Sequence, residues 1–215
     1  MPALTLTTFG IETTNGGTRT ISDANLLIAF ALCADNTSGP TLPTTVSWNS
    51  TAMTAIAGST ARETTGGSGA AAGAWQTSNH TTGTLAFGGG GGATLRAIGY
   101  LAFSNSSGSS NSTITGANSS ALGPSSFGSS VNSIVIGAYA HGGVNENTVV
   151  NSSMVEDVDT LSGGGQLMIW HQESNSSQIN INVSWATAVA SVGSIVNIEG
   201  TPPGGNARSQ VIFFG

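Results

Sequence analysis

The chain reads as a succession of short apolar runs set between clusters of Gly, Ser, Thr and Asn. Leu4 to Phe9 alternates apolar and polar positions with a period of two, the pattern of a strand with one face in a core. Asn25 to Cys33 (Asn-Leu-Leu-Ile-Ala-Phe-Ala-Leu-Cys) is nearly continuous in apolar residues, which predicts a strand buried on both faces. It is short for a helix, and Pro40 and Pro43 soon follow it. Leu95 to Phe103 gives a strand signal of similar strength. Val46-Ser47-Trp48, the turn-forming Asn49-Ser50 and Ala52 to Ile56 predict a hairpin. Further strands are expected at Ala72 to Gln76, Gly83 to Phe87, Ser133 to Ala140, Gln166 to Glu173, Ile179 to Trp185, Ala186 to Ala190, Ser194 to Ile198 and Gln210 to Phe214. In Ile179 to Trp185 the residues Ile179, Ile181, Val183 and Trp185 share one face, and Asn180, Asn182 and Ser184 share the other.

About a dozen strands without a convincing helix predict an all-β fold: a two-sheet antiparallel β-sandwich with a jelly-roll-like strand order. Residues 1–215 are expected to form a single domain, with a Ser/Asn-rich loop insertion at about 104–132 that Ile114 and Leu122 anchor to the body, as a loop or as a short strand. No fixed-length repeat and no linker stand out.

Composition sharpens this picture. Only 7% of residues are charged, there is no lysine, and the net charge is −6. The strong cations are Arg19, Arg62, Arg96 and Arg208, too few for the basic face that a nucleic-acid backbone requires. Anionic membrane surfaces are disfavoured for the same reason, and no apolar run reaches the roughly 20 residues that span a bilayer. A Gly/Ser-rich, weakly charged chain resembles a disordered one, but 38% of the residues are apolar and gather in runs, which favours an ordered fold. Cys33 lies inside an apolar run and reads as a small buried hydrophobe. The start, Met1 to Leu6, carries no basic stretch ahead of an apolar one, so synthesis in a cytoplasm without export is expected.

An ordered set of segments goes beyond composition. It comprises Asn25-Leu26-Leu27-Ile28-Ala29-Phe30, Asp35-Asn36-Thr37-Ser38-Gly39 and Val46-Ser47-Trp48-Asn49-Ser50-Thr51-Ala52-Met53-Thr54. Ala74-Trp75, Thr82-Gly83-Thr84, Gly99 to Ser104, Ser133 to Ile136 and Val211 to Phe214 follow in order. The set resembles β-sandwich virion-associated proteins of tailed phages and prophages, and it covers nearly the whole chain. The resemblance implies a fold and membership of a virion; its motifs are structural and carry no catalytic residues.

The residues that carry chemistry elsewhere have plainer readings here. Gly88 to Gly92 lacks the Lys-Ser/Thr and the helix of a phosphate-binding loop and reads as a tight β connection. His80, His141 and His171 share no metal-ligand spacing with Cys33. His171 and Glu173 lie two apart on one strand and are expected to form a surface hydrogen-bonded pair. Glu156, Asp157 and Asp159, with Asn145, Glu146 and Asn147 upstream, form the acidic cluster; calcium takes such ligands, although the spacing matches no defined loop. Trp48, Trp75, Trp170 and Trp185 are core residues or a sugar-stacking platform. Asn-x-Ser/Thr sequons at Asn36, Asn49, Asn79, Asn105, Asn111, Asn118, Asn151, Asn175 and Asn182 are expected to be unmodified in an unexported chain. No catalytic, metal or cofactor-binding residue is singled out, and no cofactor is expected.

The functional expectation is a non-enzymatic phage virion structural protein that decorates the capsid. Its partners would be the major capsid protein or other virion proteins and its own copies in a homo-oligomer, without nucleic acid or membrane. Alternatives are a glycan- or receptor-binding module of a tail fibre or adhesin, binding a surface glycan, and a subunit of an extracellular filament.

Overall fold

The structure is a computed structural model that describes residues 3–13, 18–21, 23–37, 39–64, 67–78, 81–122, 127–129, 132–143, 149–150, 153–162, 165–174, 178–180 and 183–201. Within them every regular element is a strand. The first part of the chain forms β1 (Thr5–Glu12), β2 (Thr18–Thr20), β3 (Leu26–Asp35), β4 (Pro43–Trp48), β5 (Thr51–Ala52), β6 (Thr54–Ala55), β7 (Ala61–Glu63), β8 (Gly69–Thr77), β9 (Thr82–Gly89) and β10 (Leu95–Ser104). The second forms β11 (Ser106–Leu122), β12 (Phe127–Gly128), β13 (Ser133–Gly142), β14 (Val149–Val150), β15 (Val155–Ser162), β16 (Gly165–Ser174), β17 (Gln178–Ile179) and β18 (Val183–Gly200). All pairings are antiparallel.

Two six-stranded sheets dominate. One runs β1-β10-β3-β8-β6, with β7 also on β8; the other runs β11-β18-β13-β16-β15, with β14 also on β18. They share a central core. Ile28, Phe30 and Leu32 of β3 and Leu101 and Phe103 of β10 meet Ile134, Ile136, Leu167, Ile169, Val192 and Val196 of the other sheet. The opposite faces are covered too. The four-stranded sheet β2-β9-β4-β5 closes a second core over the first sheet, where Trp48, Leu85 and Phe87 lie on Leu27, Trp75 and Tyr100. On the second sheet, Leu122, Phe127, Met154, Ile179, Val183 and Trp185 close a third over Tyr139, Met168, Trp170 and Ile195.

This layering explains the continuous apolar runs. All ten residues of β3 are buried, with Ile28, Phe30 and Leu32 pointing into the central core and Leu27, Ala29 and Cys33 into the outer one. Each large aliphatic or aromatic side chain buried this way contributes roughly 1.5–3 kcal/mol. The expected hairpin forms between β4 and β5, pairing Ser47 with Ala52 and Trp48 with Thr51. Its two turn residues, Asn49 (φ 49°) and Ser50 (φ 61°), adopt the left-handed pair that matches strand twist in tight hairpins.

One expectation needs correction. The segment at 104–132 is no loop insertion over most of its length: Ser106–Leu122 is the strand β11, paired along β18. Backbone hydrogen bonds to a single neighbour hold this edge strand, so it needs no apolar alternation. Within the first half the chain alternates between layers: β1, β3, β8 and β10 lie in the large sheet, and β2, β4, β5 and β9 in the outer one. Residues through Ser104 fill one large sheet and residues from Ser106 fill the other. The terminal run Gln210 to Phe214 lies outside the described residues.

The sheets approach closely at Gly99, where a Cβ would overlap the Cδ1 of Ile169 across the central core. Gly99→Ala should therefore destabilise the fold by about 1–3 kcal/mol through overpacking. Ile169→Val removes the opposing methyl and alone should cost about 0.5–1.5 kcal/mol. The double variant should be more stable than Gly99→Ala alone, a coupling that urea unfolding of the four proteins measures directly.

Candidate functional site

The polar side chains of the second sheet form two connected groups. In the first, Gln166 bridges β13 and β15: its Nε2 donates to both carboxylate oxygens of Asp159 at 2.7 and 2.9 Å. That orientation leaves Oε1 facing Nε2 of the buried His141 at 2.7 Å, so His141 carries its proton on Nε2 and donates. The His141 ring stacks on Trp185, with centroids 5.1 Å apart and planes 19° from parallel, and Trp185 Nε1 donates to Ser119 O at 3.0 Å. An amide separates carboxylate from imidazole here. Gln166 thereby orients His141, its amide standing between the imidazole and the Asp159 carboxylate.

The second group is a direct carboxylate–imidazole pair. His171 Nδ1 lies 2.8 and 2.9 Å from the two oxygens of Asp157. The expected partner of His171 was Glu173, two residues along the same strand. Instead the side chain turns toward β15, where a bulge between Glu156 and Val158 brings Asp157 inward. Sequence spacing along one strand has no signal for a partner supplied by a bulge on the next. The acidic cluster is consequently divided: Asp157 serves His171 and Asp159 serves Gln166. Glu156 is pushed above the ordinary carboxylate range by partial desolvation and by the charge of Asp159. Among the described residues no group of three or more His, Cys, Asp or Glu side chains converges as a metal site. Asn145, Glu146, Asn147 and His80 lie outside the described residues.

A cleft of about 250 Å³ opens where the two large sheets meet, lined by Leu26, Thr54, Gln76, Thr77, Ser78 and Gly108. Gln76 is held from the other sheet, its Oε1 accepting from Ser109 Oγ at 2.9 Å. The lining is uncharged and offers hydroxyl and amide groups alone, which suits a neutral hydrogen-bonding surface and provides no acid or base.

The glycine run is a turn with its amides already engaged. Gly90 N donates to Leu42 O, Gly91 N to Thr41 Oγ1 and Ala93 N to Gly90 O. Gly89 (φ 83°) and Gly90 (φ 67°) hold left-handed backbone, and a Cβ at Gly90 would press on Cys33 Sγ. Arg96 locks the turn, donating from Nη2 to Gly89 O at 2.8 Å while its guanidinium lies 4.5 Å from the centroid of Phe87. With these amides turned inward, the loop does not form a phosphate cradle. Arg19 is likewise engaged, paired with the buried Glu12.

All four tryptophans are buried, at 4, 3, 5 and 6% exposure for Trp48, Trp75, Trp170 and Trp185. They therefore form no exposed sugar-stacking platform. Among the sequons, Asn49 exchanges hydrogen bonds with the backbone of Thr82 and Thr84, and Asn105 Nδ2 donates to Ala3 O. Asn79, Asn151, Asn175 and Asn182 lie outside the described residues. No protein-family model, curated protein or solved structure matches the chain.

Burial pushes the Cys33 thiol up from 9.0 to about 11, an effect the nearby Arg96 partly opposes. A thiol reagent at pH 8 should leave Cys33 unmodified in the folded protein and react fully in denaturant. Because the folded thiol holds its proton more tightly than the unfolded one, this group's stabilising contribution is complete below pH 9 and is lost as pH rises toward 11. Cys33→Ala should flatten that part of the stability profile, which unfolding between pH 8 and 11.5 would reveal.

Proposed function

We propose that this protein is a non-enzymatic structural protein of a phage virion, a two-sheet β-sandwich that decorates the capsid by binding the major capsid protein and its own copies. One observation carries the reading: among the described residues most aromatic and large aliphatic side chains are concentrated in three stacked cores, and apart from Phe9, Leu42 and Val155 the outward-facing positions are mainly small or polar residues such as Thr, Ser and Asn. Such a body is stiff and meets neighbours with little charge to desolvate. Repetition over a lattice then turns modest contacts into durable attachment. The resemblance to virion-associated β-sandwich proteins points the same way, and assembly in a host cytoplasm followed by work outside the cell accommodates a hydroxyl-rich surface.

Quantitative mass spectrometry of purified particles tests the proposal. The protein should be present in copy numbers set by capsid symmetry and remain on heads separated from tails. A handful of copies confined to tails, or its absence from particles, would overturn the capsid assignment.

A further inference from the structure

The two large sheets repeat one plan. Counting the strands of each sheet in chain order, the first lies at an edge, the last beside it, then the second, then the penultimate, and a middle strand finishes the row. That gives β1-β10-β3-β8-β6 in one half and β11-β18-β13-β16-β15 in the other. The small outer ribbons follow the same rule. β2 pairs with β9 and β12 with β17, each joining the segment before the second long strand to the segment before the last.

Registers agree as well. Ile28 faces Leu101 and Leu27 faces Thr77; in the other half, Ile136 faces Val196 and Val135 faces Gln172. The numbering offset that carries Thr77 to Gln172 also carries Leu101 to Val196 and Trp75 to Trp170. Both edge strands are bulged at the equivalent place. Leu6 faces Phe103 and Thr8 faces Ala102, while Ser109 faces Ile198 and Asn111 faces Asn197. Opposite each tryptophan the edge pairing is interrupted, β6 ending at Ala55 in one half and β15 bulging after Glu156 in the other. A buried methionine, Met53 or Met154, precedes each of these segments and enters the outer core of its own half.

The halves are also braced reciprocally. Asn25, just before β3, holds the start of β11: its Nδ2 donates to Ser106 O at 2.6 Å and its Oδ1 accepts from Ser106 N at 3.0 Å. Asn132, just before β13, accepts from Leu4 N at 3.2 Å beside the start of β1. Likewise β7 lies against β11, and β15 against β1.

We infer that the chain is a fused pair of homologous halves, residues 3–104 and 106–201, and that the inner face of each sheet is an interaction surface whose partner is the other half. The central core is then a pseudo-two-fold interface, and Asn105 is the joint. Chain ends of both halves meet there: Asn105 O accepts from Thr201 N at 2.7 Å and Asn105 Nδ2 donates to Ala3 O at 3.0 Å.

Side-chain volumes explain how the two faces fit. In the first half the second long strand carries the bulk, with Phe30 and Leu32, and the penultimate strand is lined by Ala70, Ala72 and Ala74. In the second half the distribution is reversed: Ala138 and Ala140 lie on β13, and Leu167 and Ile169 on β16. Large positions on one half thus accompany small ones on the other, as in an interface between two specialised copies.

Circular permutation of the complete chain tests this inference. One permutant places residues 106–215 before 1–105, so that the native tail joins the second half to the first; a companion version replaces 202–215 with a Gly-Ser linker. The other permutant opens the exposed turn at Gly91, inside the first half, with the same two linkers. Opening at Asn105 should give a compact, cooperatively unfolding protein with Tm within about 5 °C of the parent, and opening at Gly91 should lower Tm by about 10 °C or more. A dimer formed by exchange of halves between two Asn105 permutants would support the same interface. Failure of both Asn105 versions to fold, or equal tolerance of the two openings, would overturn the inference.

Discussion

A strand such as β3, apolar at nearly every position, presents two hydrophobic faces and needs cover on both. A pair of facing sheets covers one side of each. The remaining faces would expose Leu27, Trp75 and Tyr100 on one sheet and Tyr139, Met168 and Trp170 on the other, so the chain adds a further layer over each. The β2-β9-β4-β5 sheet and the β12-β17 ribbon with its flanking strands follow from that need. Their own outer faces are then free to be rich in Thr, Ser and Asn. A weakly charged chain can be stable in this way because its apolar area is buried in three places, with the charged side chains left to local pairs such as Glu12 with Arg19.

Close packing restricts what the two central faces can carry. Protein interiors tolerate neither large voids nor overlaps, so bulk placed on one face must be matched by space on the other. Phe30 and Leu32 on one face share the core with Ala138 and Ala140 on the other, and Ile169 fills the space over Gly99. This reciprocity hides the repeat at the level of letters. An alignment of Leu-Ile-Ala-Phe-Ala-Leu with Val-Ile-Gly-Ala-Tyr-Ala keeps the period and, apart from Ile28 with Ile136, loses the identities. What survives is registration: the bulges, the Trp75 and Trp170 positions, and the methionines ahead of the interrupted edge segments.

The long buried strands were legible because burial on both faces writes an unbroken apolar run, and the Asn49-Ser50 hairpin because left-handed turn residues are few in kind. β11 was not legible. Its Ser, Asn and Gly residues give no alternation, and its placement rests on backbone pairing with β18 and on contacts such as Ser109 with Gln76. The polar groups fared similarly. Local spacing suggested His171 with Glu173, whereas a bulge on the adjacent strand supplies Asp157. Burial of Cys33 and the engaged glycine turn were readable from composition and context, while the Asp159–Gln166–His141 chain joins three strands and has no local signature.

The halves also diverge in what they add to the shared plan. Cys33 sits near the end of β3 under the glycine turn, and His141 occupies the corresponding end of β13 with Trp185 stacked upon it. The first half carries Glu12, Asp23, Asp35 and Glu63 with Arg19, Arg62 and Arg96, whereas the sequence of residues 106–201 holds six acidic residues and no lysine or arginine. A pseudo-symmetric body therefore has an asymmetric field. Hydrogen-bonded carboxylates such as Asp157 and Asp159 lose part of their solvation, and their partners Gln166 and His171 offset that penalty locally. The second half thus keeps the same order of long strands with a more acidic composition, so the two halves can meet chemically different neighbours. Symmetry sets the scaffold, and departure from it gives the molecule two distinguishable ends.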